Sequence, residues 1–152
     1  MKNLSLLLFA LAGTFGGCKK ADPAPPTATQ LLTGKKWQAT SASIILNAPG
    51  ATPTDTYALT PPCFRDDFER FDAPNTFTYD EGPTKCFAAD PQTQLGLWAF
   101  SRNDTQLIVT YAGLSALYTV DELTATSLKV HSVSTNSNGV DETSTVHFMA
   151  IP

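Results

Sequence analysis

Short runs rich in Thr, Val, Ile, Tyr and Phe, broken at close intervals by turn formers, constrain this chain more than any other feature. Such runs suit a pleated, half-buried surface and do not carry a helical period. They recur at Lys36–Leu46, Asp67–Phe71, Thr76–Asp80, Leu95–Ser101, Gln106–Tyr111, Ala116–Asp121, Ser127–Val133 and Thr143–Ile151. Arg102-Asn103-Asp104, between Trp98/Phe100 and Leu107/Val109, reads as a tight hairpin. Asn136-Ser137-Asn138-Gly139 reads as a second. The Pro-, Gly- and Thr-rich stretch Asn47–Pro62 reads as a long mobile loop. Phe64, Phe68 and Phe71 fall at helical spacing, but Pro61-Pro62 and Asp72-Ala73-Pro74 confine any helix to about two turns. A short strand with an irregular lead-in is expected there. About eight strands in meander order predict an all-β fold, a single antiparallel up-and-down β-barrel. A two-sheet β-sandwich alternates inward and outward residues in the same way and stays as the alternative.

The N-terminus reads as an address. Met1-Lys2-Asn3 supplies one positive charge, and an apolar run from Leu4 to Gly17 follows. That run is shorter than the roughly 20 residues a helix needs to cross a hydrocarbon core. A basic start, an apolar stretch and small residues before a cut site mark a secretory signal. Phe15-Gly16-Gly17 ahead of Cys18 resembles the lipobox of bacterial lipoproteins. The resemblance implies a signal peptide over 1–17, lipidation of Cys18, and a membrane partner held through that anchor. Residues 18–29 then form a Pro-rich tether, and 30–152 the barrel domain. Acyl chains bind at about 0.8 kcal/mol per buried methylene, and two or three chains hold far more firmly than one.

Cysteine arithmetic agrees with that address. Three cysteines in an exported chain leave one odd thiol. Lipidation of Cys18 accounts for it and leaves Cys63 and Cys86 as an even pair in an oxidising compartment. A zinc site is the competing reading, but two widely spaced cysteines and the distant His131 and His147 match no ligand pattern. The formal net charge is −4, and −5 once Lys2 leaves with the signal. Nothing basic is clustered, so nucleic acid is not an expected partner.

The ordered set of motifs then resembles a family. Leu31-Leu32-Thr33-Gly34-Lys35-Lys36-Trp37 is similar to the opening of a lipocalin-like domain, with a tryptophan packed at the barrel base. Cys63-Phe64-Arg65-Asp66-Asp67, Phe71, Thr76-Phe77-Thr78-Tyr79, Gly82, Cys86, Gly96-Leu97-Trp98, Leu107-Ile108-Val109 and Tyr118–Leu123 follow in order. That order resembles the lipocalin-like lipoproteins of the Bacteroidetes over roughly Gln30 to Ile151. It implies a protein of the cell envelope, lipid-anchored at the outer membrane and facing the periplasm or the surface.

Chemistry is sparse. No nucleophile elbow, phosphate-binding loop, dinucleotide fingerprint or zinc-protease motif is present, so no enzyme, cofactor or metal site is expected. Asp66-Asp67, with Glu69 and Asp72 nearby, reads as solvated or turn-capping carboxylates. Trp37, Trp98, Phe100, Tyr111, Tyr118 and Phe148 fall on different strands and are expected to converge inside. They either fill a small core or line an apolar pocket with tyrosine hydroxyls as polar handles. Two functions follow: an envelope protein binding a small apolar or amphipathic ligand, or an interaction module with a filled core and no ligand.

Overall fold

In the computed structural model, residues 23–152 are described. The expected signal peptide, Cys18 and the first residues of the expected tether lie outside them. Among the described residues the strands are β1 (Lys36–Leu46), β2 (Thr54–Asp55), β3 (Phe68–Asp72), β4 (Thr76–Asp80), β5 (Thr93–Ser101), β6 (Gln106–Tyr111), β7 (Leu114–Leu123), β8 (Ser127–Thr135) and β9 (Asp141–Ile151). Consecutive strands from β3 to β9 pair antiparallel, β1 pairs β3, and β1 also pairs β9. The ring is therefore closed, which selects the barrel over the sandwich. Eight strands build the wall, and β2 is an extra piece on β1.

Alternation fixes what faces inward. Trp37, Phe71, Phe77, Trp98, Leu107, Val109, Leu128 and Val130 form the buried core together with Leu32. Directly opposed residues share a face of the sheet. Phe71 opposes Phe77, Trp98 opposes Val109, and Leu128 opposes Phe148, so each pair aims into the interior. Bulges between Ala39 and Ser41 and between Val120 and Glu122 reset this alternation. Bulges bend strands, which a small barrel needs in order to close.

The base of the barrel is plugged by a feature the sequence does not announce. Helix α1 (Ala28–Leu32) starts with a capping box between Thr27 and Gln30. Its Leu32 is fully buried, and the Trp37 indole Nε1–H donates to the Leu32 carbonyl at 2.8 Å. Five residues carry too little periodicity for a helix to be read from the pattern.

Both expected hairpins form. Arg102, Asn103 and Asp104 all adopt positive φ between β5 and β6, and 136–140 joins β8 to β9. A third turn, Ala112-Gly113, also has two positive φ values (51° and 77°) and lets β7 begin at Leu114, two residues before the expected Ala116. Two such residues suit the right-handed twist of the strands they join.

The stretch expected to be a mobile loop is tied to the wall. Thr54 and Asp55 pair with Ile44 and Ser43, and the amides of Thr56 and Tyr57 donate to the Ala42 carbonyl at 3.0 and 3.2 Å. A single 3-10 turn, Pro62–Phe64, leads into β3, consistent with the irregular lead-in. Cys63 and Cys86 form a disulfide with a Cα–Cα distance of 5.2 Å. It fastens that turn to the loop joining β4 and β5.

Candidate functional site

The wall is thinnest between β1 and β3. Only Lys36–Arg70 and Trp37–Glu69 pair across it, whereas β1 runs alongside β9 for nearly its whole length. Above that short ladder the two strands part, and the Asn47–Phe64 segment covers the gap. Gln38 Nε2 donates to the Arg65 carbonyl at 2.9 Å across it. Arg65 in turn donates to the carbonyls of Thr60 and Ala58, both at 2.9 Å, with its guanidinium over the Tyr57 ring.

Behind this seam lies a cavity of about 150 Å³ lined by Trp37, Ala39, Phe64, Asp67, Phe68, Glu69, Tyr79 and Phe148. Trp37, Glu69 and Tyr79 share the inward face through the Trp37–Glu69 and Glu69–Tyr79 pairs. Ala39 and Phe148 oppose each other on the β1–β9 side. Phe68 lies on the opposite face from Glu69 and has the Lys36 ammonium 4.6 Å from its ring centroid. The cavity thus extends from the interior towards the seam.

Of the six aromatics expected to converge, all face the interior, but they divide into three pairs. Trp98 and Phe100 meet edge to face at 5.5 Å, and Phe71 meets Trp98 edge to face at 5.9 Å. These rings fill the core. Trp37 and Phe148 line the cavity. Tyr111 stacks on Tyr79 at 5.9 Å, and Tyr118 opposes the buried Leu107. Burial raises the phenols of Tyr111 and Tyr118, and the nearby Glu69 raises them further.

The carboxylates depart from expectation. Asp67 and Glu81 are buried, at 8 % and 5 % exposure, rather than solvated. Asp67 Oδ2 accepts from the Tyr79 hydroxyl, while Asp67 Oδ1 and Glu81 Oε2 have no partner among the described residues. Burial raises the Asp67 carboxyl against the lowering effect of the Tyr79 bond, and Asp66, Glu81 and Asp80 raise it further. Glu69 is half-buried on the inward face of β3, and burial pushes it from 4.5 up to about 7. Asp66 is the one that caps a turn, with Oδ2 accepting from the Thr84 amide and hydroxyl at 2.9 and 2.6 Å. Asp67 and Glu69 were reachable from the sequence: both sit at even spacing from Phe71 on an extended run, so a core Phe71 carries them inward.

The histidines do not meet. His131 pairs with Asp121 at 2.9 Å, and His147 bonds the Ser127 hydroxyl at 2.8 Å. Among the described residues no cluster of three His, Cys, Asp or Glu is placed to hold a metal.

Fold and site together define a closed eight-stranded barrel with an internal cavity of mixed aromatic and acidic lining. Two solved structures are similar to the chain. One is bovine odorant binding protein in complex with a selenium-containing odorant, at 14% identity and a TM-score of 0.45, covering 88% of this chain and 78% of that one. The other is a deswapped triple mutant of bovine odorant binding protein, at 14% identity and a TM-score of 0.42, covering 78% and 73%. No protein-family model and no curated sequence matches the chain. The barrel assignment rests on the strand pairing itself.

Proposed function

We propose that this chain is an envelope lipoprotein, anchored through Cys18, that binds a small amphipathic ligand inside its barrel. The observation that carries the reading is the cavity behind the β1–β3 seam. Its lining places apolar surface on Trp37, Ala39, Phe64 and Phe148 beside a few polar groups on Asp67, Glu69 and Tyr79. A mostly apolar hollow with a few convergent polar groups is the usual form of a small-molecule site. Its volume lies below the roughly 300–1,000 Å³ of drug-sized sites, so the ligand is small. The protein's part is to bind and shield, since no nucleophile is paired with a base around the cavity.

Native mass spectrometry of the protein purified from its source tests the ligand. A discrete small-molecule adduct, lost when Ala39→Trp fills the hollow, is the expected result. An empty barrel that also takes up no small amphiphile in titration would overturn the reading and favour an interaction module with a filled core. Anchoring is tested separately. Cys18→Ala should move the protein from the membrane fraction to the soluble one, and unchanged membrane recovery would refute lipidation at that residue.

A further inference from the structure

We propose that the ligand is a small amine, its ammonium group held by Glu69 and Asp67 and its apolar remainder lying against Trp37, Ala39, Phe64 and Phe148. This inference rests on the ligand-binding reading above and names the class of molecule that the cavity selects.

Charge balance inside the barrel is the main argument. Glu69 and Asp67 both border the cavity. Asp67 Oδ1 is buried without a partner, while Tyr79 occupies Oδ2 and fixes the orientation of the carboxylate. Among the described residues no cation pairs with either acid. The groups that act on Asp67 are Tyr79 and three further carboxylates, and on Glu69 only burial acts. A buried carboxylate without a partner is costly, and an ordered cation with good geometry offsets that cost.

The described basic residues near the barrel are committed elsewhere. Lys36 and Arg70 share the outer face of the β1–β3 ladder, with Lys36 over Phe68 and Arg70 paired to Asp72 at 2.8 Å. Lys35 donates to the Ala125 carbonyl at 2.7 Å. Lys129 opposes His147 on the outer face of β8 and β9. Arg65 is spent on the backbone of its own loop. Among the described residues no basic side chain meets these two acids, and a cationic ligand would supply the positive charge they lack when ionised.

The rest of the lining narrows the class. Aromatic faces on Trp37, Tyr79 and Phe148 attract a cation as well as a hydrocarbon. A bare metal ion is disfavoured, because among the described residues no three metal-capable side chains converge and half the wall is apolar. An anionic ligand would meet like charge. An organic ammonium with a short apolar tail satisfies both halves of the lining.

The test uses hexylamine, 1-hexanol and hexanoate, titrated calorimetrically into the purified full-length protein at pH 8. Hexylamine should bind at least tenfold more tightly than hexanol, and hexanoate not measurably. Hexylamine stays an ammonium ion down to acidic pH, as a lysine side chain does. Its affinity should therefore fall more than tenfold between pH 8 and pH 5.5, as Glu69 takes up a proton, while that of hexanol stays constant. Tyr79, Tyr111 and Tyr118, raised by burial, remain neutral over this range, and β1 and β9 present no charged group to the cavity. Glu69→Gln should remove the advantage of hexylamine and leave hexanol unaffected. Ala39→Trp should abolish both. If hexanol binds as well as hexylamine at every pH, the amine inference is overturned and the ligand-binding reading stands. Hexylamine binding that survives Ala39→Trp places the amine on outer carboxylates and also overturns it. If none of the three binds, both readings fail. Should Glu69→Gln not fold, the pH arm on the wild type decides.

Discussion

Glu69 should make the folded protein less stable as the pH rises, and Glu69→Gln should abolish that dependence. Burial moves its carboxyl from 4.5 to about 7 in the folded state. Between those values the folded protein keeps a proton that the unfolded chain has already released. Stability then falls with rising pH, by about 1.4 kcal/mol for each unit of difference. The contribution of the neutral acid is whole below about pH 4.5 and lost by about pH 7, for a total of about 3 kcal/mol. That is a sizeable part of the roughly 5–15 kcal/mol that holds a domain together. Glutamine has nearly the same shape and stays neutral throughout. Urea unfolding followed by the fluorescence of Trp37 and Trp98, from pH 4 to pH 9, measures both proteins. The two should be nearly equal at pH 4, and the variant more stable by about 3 kcal/mol at pH 8. Asp67, also raised by burial, tilts both curves in the same direction and largely cancels in their difference. A difference that does not change with pH would refute the placement of Glu69 in the interior.

Three further perturbations probe the frame around the cavity. The Cys63–Cys86 bridge closes a loop with a sequence separation of 23, which corresponds to about 3 kcal/mol on the chain-entropy model. Replacing both cysteines by serine should lower the melting temperature by about 10 °C in a scanning calorimeter. Trp37→Phe removes the indole donor to the Leu32 carbonyl and leaves that acceptor buried. A loss of about 1–3 kcal/mol in denaturant titration is expected. At Gly82 and Gly113, φ is +62° and +77°, so alanine costs about 1–2 kcal/mol at either position. A Cβ on Gly82 would also overlap the Asp66 backbone carbonyl, whereas one on Gly113 meets nothing within 4 Å. Gly82→Ala should thus be clearly the more damaging of the two in melting experiments, and equal losses would argue against the close approach.

The wall of the barrel was legible because its information is local. Alternation from Trp37 to Phe148 and turn formers such as Arg102-Asn103-Asp104 state which residues pair and where strands end. Eight strand-like runs were readable to within a few residues of β1 and β3–β9. Ring closure was expected from the meander order with a sandwich left open, because the contact that decides it, Lys36 with Ile151, joins opposite ends of the domain. Two smaller pieces were hidden for related reasons. Helix α1 is too short to show a period, and β2 exists only because Ser43 and Ile44 offer it a free edge. The Ala112-Gly113 turn lacked the usual Asn or Asp before glycine, so β7 looked shorter than it is.

The site was half legible, and the half that was missed carries the chemistry. Aromatic residues announce themselves as interior by type, so Trp37 and Phe148 could be expected at a pocket. Carboxylates announce the opposite, and by type alone Asp67 and Glu69 are expected to be solvated or turn-capping. Position overrules type here. On β3 the order Phe68-Glu69-Arg70-Phe71-Asp72 puts Arg70 and Asp72 outside, where they pair at 2.8 Å, and Glu69 and Phe71 inside. A strand built only for stability would gain by carrying an apolar residue at position 69, because a neutral aliphatic there has no proton to hold and no charge to bury. The same holds for Asp67, whose free oxygen faces no donor. Two such costs border one cavity, with the nearby described cations turned outward, and the proposed ammonium ligand would offset both. The inward acids on a strand whose parity is fixed by Phe71 are therefore the feature from which a ligand class can be argued.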